Sequence, residues 1–268
     1  MKDKVVVITG ASGGIGAALS EVFAGQGSFV VMAARNVSQL EEVNNLLASP
    51  EAHLRVHCDV SQESDCKHLI DEAVRRYGRI DVLINNAGIS MRALLEDADL
   101  EVLRKVMAIN FWGTVYCTKY ALPWLLQTSG SLVGISSIAG KAGLPGRTGY
   151  SASKFAMEGF MESVRTENLH RGLHVLVACP GFTSTNIRNT ALNAEGKQQG
   201  ESPRNEKSMM TPTEVASRIY DAIVHRKRDL VLTREGKLTV LLKKFFPSSL
   251  DKMIFNHMAK EKDSPFKK

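Results

Sequence analysis

Seven short runs dominated by Val, Ile and Leu punctuate the chain, and helix-length amphipathic stretches separate them. The runs cover 5–9, 29–33, 54–58, 82–85, 132–136, 175–179 and 230–232. They lack strict polar–apolar alternation, so they read as strands buried on both faces, the habit of parallel sheets. Helix patterns lie between them near 14–26, 37–48, 62–77, 99–127, 150–171 and 213–226. Such alternation predicts one doubly wound α/β sheet, mainly parallel and seven-stranded, with helices on both faces. Residues 1–236 form the expected domain, with no Pro- or Ser-rich linker to split it, and 237–268 extend it.

Composition removes several classes. With 44% hydrophobic and 23% charged residues, disorder is excluded as the dominant state. No apolar run approaches the ~18–20 residues of a membrane-spanning helix. The apolar part of the first eight residues is too short for a signal peptide. Cys58, Cys66, Cys117 and Cys179 lie far apart without a C-x-x-C, which favours reduced thiols in a cytoplasmic setting. The seven His residues show no ligand spacing and no G-x-S-x-G is present, so neither a metal site nor a serine-hydrolase elbow is expected. The net charge is +6, yet residues 237–268 hold eight Lys against three acidic residues. The tail thus carries +5 and the other 236 residues only +1, which argues against a nucleic-acid-binding body.

The first strand runs straight into Thr9-Gly10-Ala11-Ser12-Gly13-Gly14-Ile15-Gly16, and a helix pattern follows. Glycines let backbone approach a pyrophosphate closely, and the helix N-terminus offers free N–H groups to it. At a first strand–helix junction this is the context of a dinucleotide site.

The spacing T-G-x-x-x-G-x-G resembles that of the short-chain dehydrogenases/reductases, and further motifs follow in that family's order. Asp59 ends the third strand; Asn85-Asn86-Ala87-Gly88 ends the fourth; Asn110 sits in a helix as N-F-W-G. Ser136-Ser137 end the fifth strand, then come Tyr150-Ser-Ala-Ser-Lys154 and Pro180-Gly181 with Thr183 and Thr185. The resemblance covers about 3–232 and implies a Rossmann-type fold and hydride transfer between a nicotinamide nucleotide and a carbonyl or alcohol. It implies cofactor contacts at Gly10, Ser12, Gly14, Ile15, Gly16, Asp59, Val60, Asn86, Ala87, Gly88, Pro180, Gly181, Thr183 and Thr185. Asp59 would accept from the adenine amino group and Thr185 would hold the carboxamide.

The end of the second strand reads Ala33-Ala34-Arg35-Asn36, with no acidic residue to engage the ribose hydroxyls. Arg35 can fork onto a 2′-phosphate, with Asn36 and Ser12 as neutral donors, so NADP(H) is the expected cofactor. Many NADP-preferring relatives carry a second basic residue where this chain has Gly13.

Tyr150 and Lys154 share one helix face at i, i+4. A nearby ammonium favours phenolate, so Lys154 is expected to lower the Tyr150 pKa and also to hold the cofactor ribose. Ser137, thirteen residues before Tyr150, is expected to bind the substrate oxygen, with Ser136 pointing the other way. Asn110 is expected to support a water-borne proton path to Lys154. Ser137 and Tyr150 are thus also the expected substrate contacts.

Met91, Leu94, Leu95, Leu144, Phe182, Met209 and Met210 read either as an apolar substrate lining or as core. Residues 193–208 are polar and turn-rich, either a solvated connection or part of a lid. The tail, KLTVLLKKFFPSSLDKMIFNHM from 237 to 258, is broken by Pro247. It reads as a helix packed on its own domain or a partner subunit, or as an interfacial segment meeting anionic lipid at the membrane periphery. Residues 260–268 are expected to fray. The tail is similar to basic, apolar extensions in lipid- and steroid-handling members of the resembled family, such as 11β-hydroxysteroid dehydrogenase type 1 and 3-ketodihydrosphingosine reductase. That similarity implies a lipophilic ketone. Members of the family form dimers or tetramers through their long helices, here 99–127 and 150–171.

Overall fold

Alternate residues of the first strand, β1 (Val5–Thr9), enter opposite cores: Val5 and Val7 on one face, Val6 and Ile8 on the other. Both faces are therefore covered, and the strand needs no polar side. The same holds for β2 (Phe29–Ala34), β4 (Val82–Asn85), β5 (Ser131–Ile135) and β6 (His174–Cys179). The shorter β3 (Leu54–His57) and β7 (Asp229–Val231) close the edges. The computed structural model describes residues 1–200, 209–260 and 264–266.

All pairings are parallel and the strand order is β3-β2-β1-β4-β5-β6-β7. The expected seven-stranded Rossmann-type sheet is present. Every strand points the same way, so the loops after the strand C-termini gather along one edge. The order reverses between β1 and β4, where a doubly wound sheet opens its ligand crevice.

Helices α1 (Gly14–Gly25), α2 (Val37–Asn45) and α7 (Pro212–Val224) cover one face. On that face Phe23 of α1 is fully buried, so its truncation to Ala should cost about 3–5 kcal/mol. Helix α7 starts sharply because Thr211 and Glu214 form a reciprocal capping box, with Pro212 in the first turn. The other face carries α3 (Glu63–Tyr77), α5 (Gly113–Gln127) and α6 (Thr148–Glu167). The four cysteines are free and buried; burial pushes the Cys179 thiol up to about 12.

The helix expected over 99–127 is α4 (Leu100–Met107), a π turn at Ala108–Trp112, then α5. The tail forms α8 (Arg234–Phe245) and α9 (Pro247–Ala259), with Pro247 opening α9, where its missing N–H costs nothing. The tail packs on its own chain: Leu250, Met258 and Ser264 are buried, and the Phe255 and Phe266 rings meet in a tilted pair with centroids 4.8 Å apart. Pro265 lies against Gly146, so the described part of the end is docked rather than frayed. No described helix is long and apolar enough to cross a membrane.

Candidate active site

Thr9 ties the ends of β1 and β4 together. Its buried Oγ1 accepts from the Asn86 and Ala87 N–H groups at 3.0 Å each. Asn86 Nδ2 returns the link, donating to the Thr9 carbonyl at 2.9 Å and to that of Gly10 at 3.1 Å. A Cβ on Gly16 would stand 2.2 Å from the Gly10 carbonyl oxygen, so only glycine lets α1 start this close to β1. Gly10 and Gly14 adopt φ of +65° and +54°. Gly13 caps α1 without a side chain, and the space beside it is open. Free first-turn N–H groups facing open space suit a pyrophosphate. The cradle thus fits a dinucleotide.

Around that cradle the expected contacts converge in part. Thr185 lies across from Gly14, its Cγ2 3.2 Å from where a Cβ would be. Ile15, Asn86, Gly88, Pro180, Gly181, Thr183 and Thr185 line one cleft of about 150 Å³. Ser12 borders the glycine loop, Val60 packs against Gly113, and Ala87 packs against Gly10. Asp59 accepts from the N–H and hydroxyl of Ser61, holding the turn after β3. Arg35 is exposed at the end of β2. Asn36 caps α2 by accepting from the Gln39 N–H, which engages its Oδ1.

Ser137, Tyr150 and Lys154 line the same cleft. Ser137 Oγ accepts from the Ala139 N–H at 3.2 Å, and its hydroxyl favours the charged form of the neighbouring Tyr150 phenol. Ser136 also borders the cleft, but its hydroxyl donates to Glu158 Oε1 at 2.6 Å. Glu158 also pairs with Lys141 at 2.6 Å and accepts from Cys179 Sγ at 3.4 Å, joining the segment after β5 to α6.

The electrostatics differ from the sequence expectation. Lys154 Nζ donates to the Ile135 carbonyl at 2.8 Å and lies 5.8 Å from the Tyr150 ring centroid. Burial pushes its pKa down to about 8. Tyr150 is held above the ordinary phenol value by burial, against the opposing influence of the Ser137 hydroxyl and the Arg147 charge. Arg147, not Lys154, is the cation that favours its phenolate here. A phenol held up in this way remains an acid at neutral pH, suited to giving a proton to an oxygen.

Asn110 sits fully buried in the π turn. Its Oδ1 accepts from the Ile89 N–H at 2.8 Å; its Nδ2 donates to the Ile89 carbonyl at 3.0 Å and to Ser153 Oγ at 2.9 Å. Ser153 donates in turn to the Tyr150 carbonyl at 2.7 Å. Asn110 therefore clamps the segment after β4 to the helix of Tyr150, and its side chain is occupied in doing so.

The apolar part of the lining comes largely from other residues than expected, Ile15, Ile135 and Ile187 among them. Of the seven apolar candidates, only Leu144 and Phe182 line the cleft. Met91 is fully buried in a small core with Ala93, Val102, Val106 and Leu192. Leu95 faces outward and Met210 packs toward the α1 and α7 core. Sequence reasoning missed Thr9, Ser153 and Glu158 as supports, and Arg147 and Arg188 as lining. For Ser153 and Glu158 a signal existed: both share α6 with Tyr150 and Lys154. Residues 193–200 form turns, with the Asn193 N–H donating to the Lys197 carbonyl; the rest of the expected lid, 201–208, lies outside the described residues. Among the described residues no group of His, Cys, Asp or Glu is placed to hold a metal.

With this geometry in view, the short chain dehydrogenase family model matches residues 4–196. The chain belongs to that family. The mouse dehydrogenase/reductase SDR family member 7B is 35% identical over 98% of this chain and 84% of that protein. The 11-beta-hydroxysteroid dehydrogenase 1A of Arabidopsis thaliana is 39% identical over 69% of this chain and 53% of that protein. A short-chain dehydrogenase from Streptomyces avermitilis superposes with a TM-score of 0.82 at 26% identity, covering 98% of this chain and all of that one. An alcohol dehydrogenase from Thermococcus sibiricus, complexed with 5-hydroxy-NADP, superposes at 0.75 with 25% identity, over 86% of this chain and 96% of that one. As a short-chain dehydrogenase, the chain is an oxidoreductase working between carbonyl and alcohol with a nicotinamide nucleotide.

Proposed function

We propose that the chain reduces a lipophilic ketone to a secondary alcohol with NADPH. The observation that carries the reading is the convergence of Ser137, Tyr150 and Lys154 on the wall of one cleft that borders the glycine cradle. The nicotinamide nucleotide would supply the hydride, held by the loop from Gly10 to Gly16, Asn86–Gly88, Lys154 and Thr185. Ser137 orients the ketone oxygen. Tyr150 donates the proton, which its raised pKa retains at neutral pH. Lys154 binds the ribose hydroxyls through an ammonium whose other donor contact is the Ile135 carbonyl. Asn110 fixes the distance between the segment after β4 and α6.

Arg35 supports NADPH over NADH, since it stands exposed where a 2′-phosphate would arrive and no carboxylate stands beside it. A lipophilic substrate is supported by Leu144, which lines both the cleft and a second hollow of about 470 Å³ against α9. That hollow also includes Pro145, Ile254 and Phe255, apolar surface suited to an alkyl or ring system. Leu238, Leu241, Phe245, Phe246, Met253 and Phe255 are exposed on α8 and α9 beside Lys237, Lys243, Lys244 and Lys252. This face supports contact with an anionic membrane surface at the periphery. Exposed Trp112 on the π turn and Phe155 on α6 support pairing into a homodimer or tetramer.

The test is oxidation of NADPH, and separately of NADH, against long-chain, steroid and small aromatic ketones. Turnover with NADPH, strongest on long-chain or steroid ketones, is the expected result. Equal turnover with NADH would remove the basis for the cofactor assignment.

A further inference from the structure

One turn after Lys154 on α6, a second charged side chain is buried: Glu158, 9% exposed. Side chains at this spacing are neighbours, with Cβ atoms about 5–6 Å apart. Three donors converge on the Glu158 carboxyl. Ser136 Oγ and Cys179 Sγ donate to Oε1 at 2.6 and 3.4 Å, and Lys141 Nζ pairs with Oε2 at 2.6 Å. A protonated carboxyl would turn its own hydrogen on one of them, so the arrangement suits a carboxylate. Gly140 makes room for it: a Cβ there would collide with Glu158 Oε1 and stand 2.5 Å from Ser136 Oγ.

This cluster is built around the catalytic group. Ser136 sits between Ile135, whose carbonyl takes the Lys154 ammonium, and Ser137. Cys179 ends β6, directly before Pro180 and Gly181. A buried ion pair adds little stability over apolar side chains of similar volume, so joining these segments does not by itself call for Glu and Lys. A charge acting on Lys154 does. The titratable groups facing Lys154 are Tyr150 and Glu158 on α6, Cys179 from β6, and Arg147 and Arg188 in the cleft lining, with Lys141 on the far side of Glu158. From the β4 side it meets Gly88, which is uncharged. Burial pushes Lys154 down to about 8, against the opposing influence of Cys179 and Glu158. Cys179 is itself pushed up to about 12 by burial, so near pH 8 it is a neutral thiol, and the opposing charge is that of Glu158.

We propose that Glu158 is a positioning residue for the reaction: it holds the Lys154 ammonium in its charged form, and Lys141 tempers how strongly it does so. The proposal rests on the ketone-reductase reading above, in which that ammonium binds the cofactor ribose. Glu158 and Lys141 act through Lys154, and so set the pH above which NADPH affinity falls.

The experiment reads the Lys154 midpoint directly in the full chain, by carbon-13 NMR of lysine labelled at Cε, with the signal assigned by its loss in Lys154→Met. Glu158→Gln keeps the shape of the carboxyl, removes its charge and leaves the Lys141 cation in place. The Lys154 midpoint should then fall by about one pH unit. NADPH affinity at pH 7.5, read by nicotinamide fluorescence, should fall about threefold with it. Lys141→Met leaves the carboxylate without its counter-charge, and the midpoint should rise. Lys141→Arg keeps the charge and should hold the midpoint near the wild-type value. Lys141 is the more exposed end of the pair, so its variants keep the proposal testable if Glu158→Gln does not fold. An unmoved midpoint in Glu158→Gln would overturn the proposal. So would a shift in the same direction in Glu158→Gln and Lys141→Met, which would mark a general loosening of the core. The midpoint is read without cofactor or ketone, so it stands apart from the reductase reading. Opposite shifts with no turnover of any ketone would sink that reading and keep the charge coupling; turnover with unmoved midpoints would do the reverse.

Discussion

Lys154 Nζ donates to the Ile135 carbonyl at 2.8 Å, at the end of β5, instead of reaching the phenol one turn earlier on its own helix. The price of placing an ammonium there is its desolvation, which brings the pKa from 10.5 to about 8. The unfolded chain therefore binds more protons than the folded one between those values, and stability rises with pH across that window. Lys154→Met removes this dependence. The stability difference between wild type and variant should move toward wild type by about 2 kcal/mol between pH 8 and 10, measured by urea unfolding. A pH-independent difference would contradict the burial.

The same two groups set a pH profile for turnover. Tyr150 stays protonated through neutral pH because burial raises its pKa, whereas Lys154 loses its charge above about 8. Ketone reduction should be level from pH 6 to 7.5 and then decline as the ribose contact loses its cation. The decline should fall mainly on the KM for the nicotinamide nucleotide, and steady-state kinetics at fixed ketone would show it.

Gly16→Ala should disable the cradle. Its Cβ would meet the Gly10 carbonyl oxygen at 2.2 Å and Asn86 Nδ2 at 2.6 Å, both parts of the link between β1 and β4. Relief requires moving backbone, at a cost of about 3 kcal/mol. Calorimetry should show a lowered Tm, and cofactor titration a loss of affinity; unchanged affinity would mean that the loop does not hold the nucleotide.

Arg35→Leu should shift cofactor choice. An exposed arginine facing a phosphate contributes through charge-assisted bonds, each worth about 1.5–3 kcal/mol. The ratio of kcat/KM for NADPH over NADH should drop about tenfold to a hundredfold, nearly all through NADPH. A ratio that stays put would assign the selectivity to other residues.

Much of this was readable from the residues. The strands were legible because a parallel sheet buries both faces, so Val5–Thr9 or His174–Cys179 needs no pattern beyond apolarity and length. Strand alternation gave the two serines different partners, Ser136 on Glu158 and Ser137 on the Ala139 N–H, although both border the cleft. The π turn around Asn110 was not legible, since the inserted residue changes no local preference and is set by packing against α6. Nor was the character of the lining. Met91 and Leu144 are both apolar residues in loops, and only tertiary packing buries one and leaves the other in the cleft. Arg147 and Arg188 read as surface residues by type; their burial arises from loops that meet only in the folded chain.

Proton donation by Tyr150 is the step on which the proposed reduction depends. The measurement is NADPH oxidation by Tyr150→Phe with the best ketone, alongside NADPH binding by fluorescence. Phe keeps the ring and its packing and removes only the hydroxyl from the cleft that Ser137 also lines. The expected result is a loss of about a hundredfold or more in kcat, with NADPH affinity unchanged. Turnover retained at the wild-type rate would contradict proton donation by Tyr150, and with it the proposed mechanism.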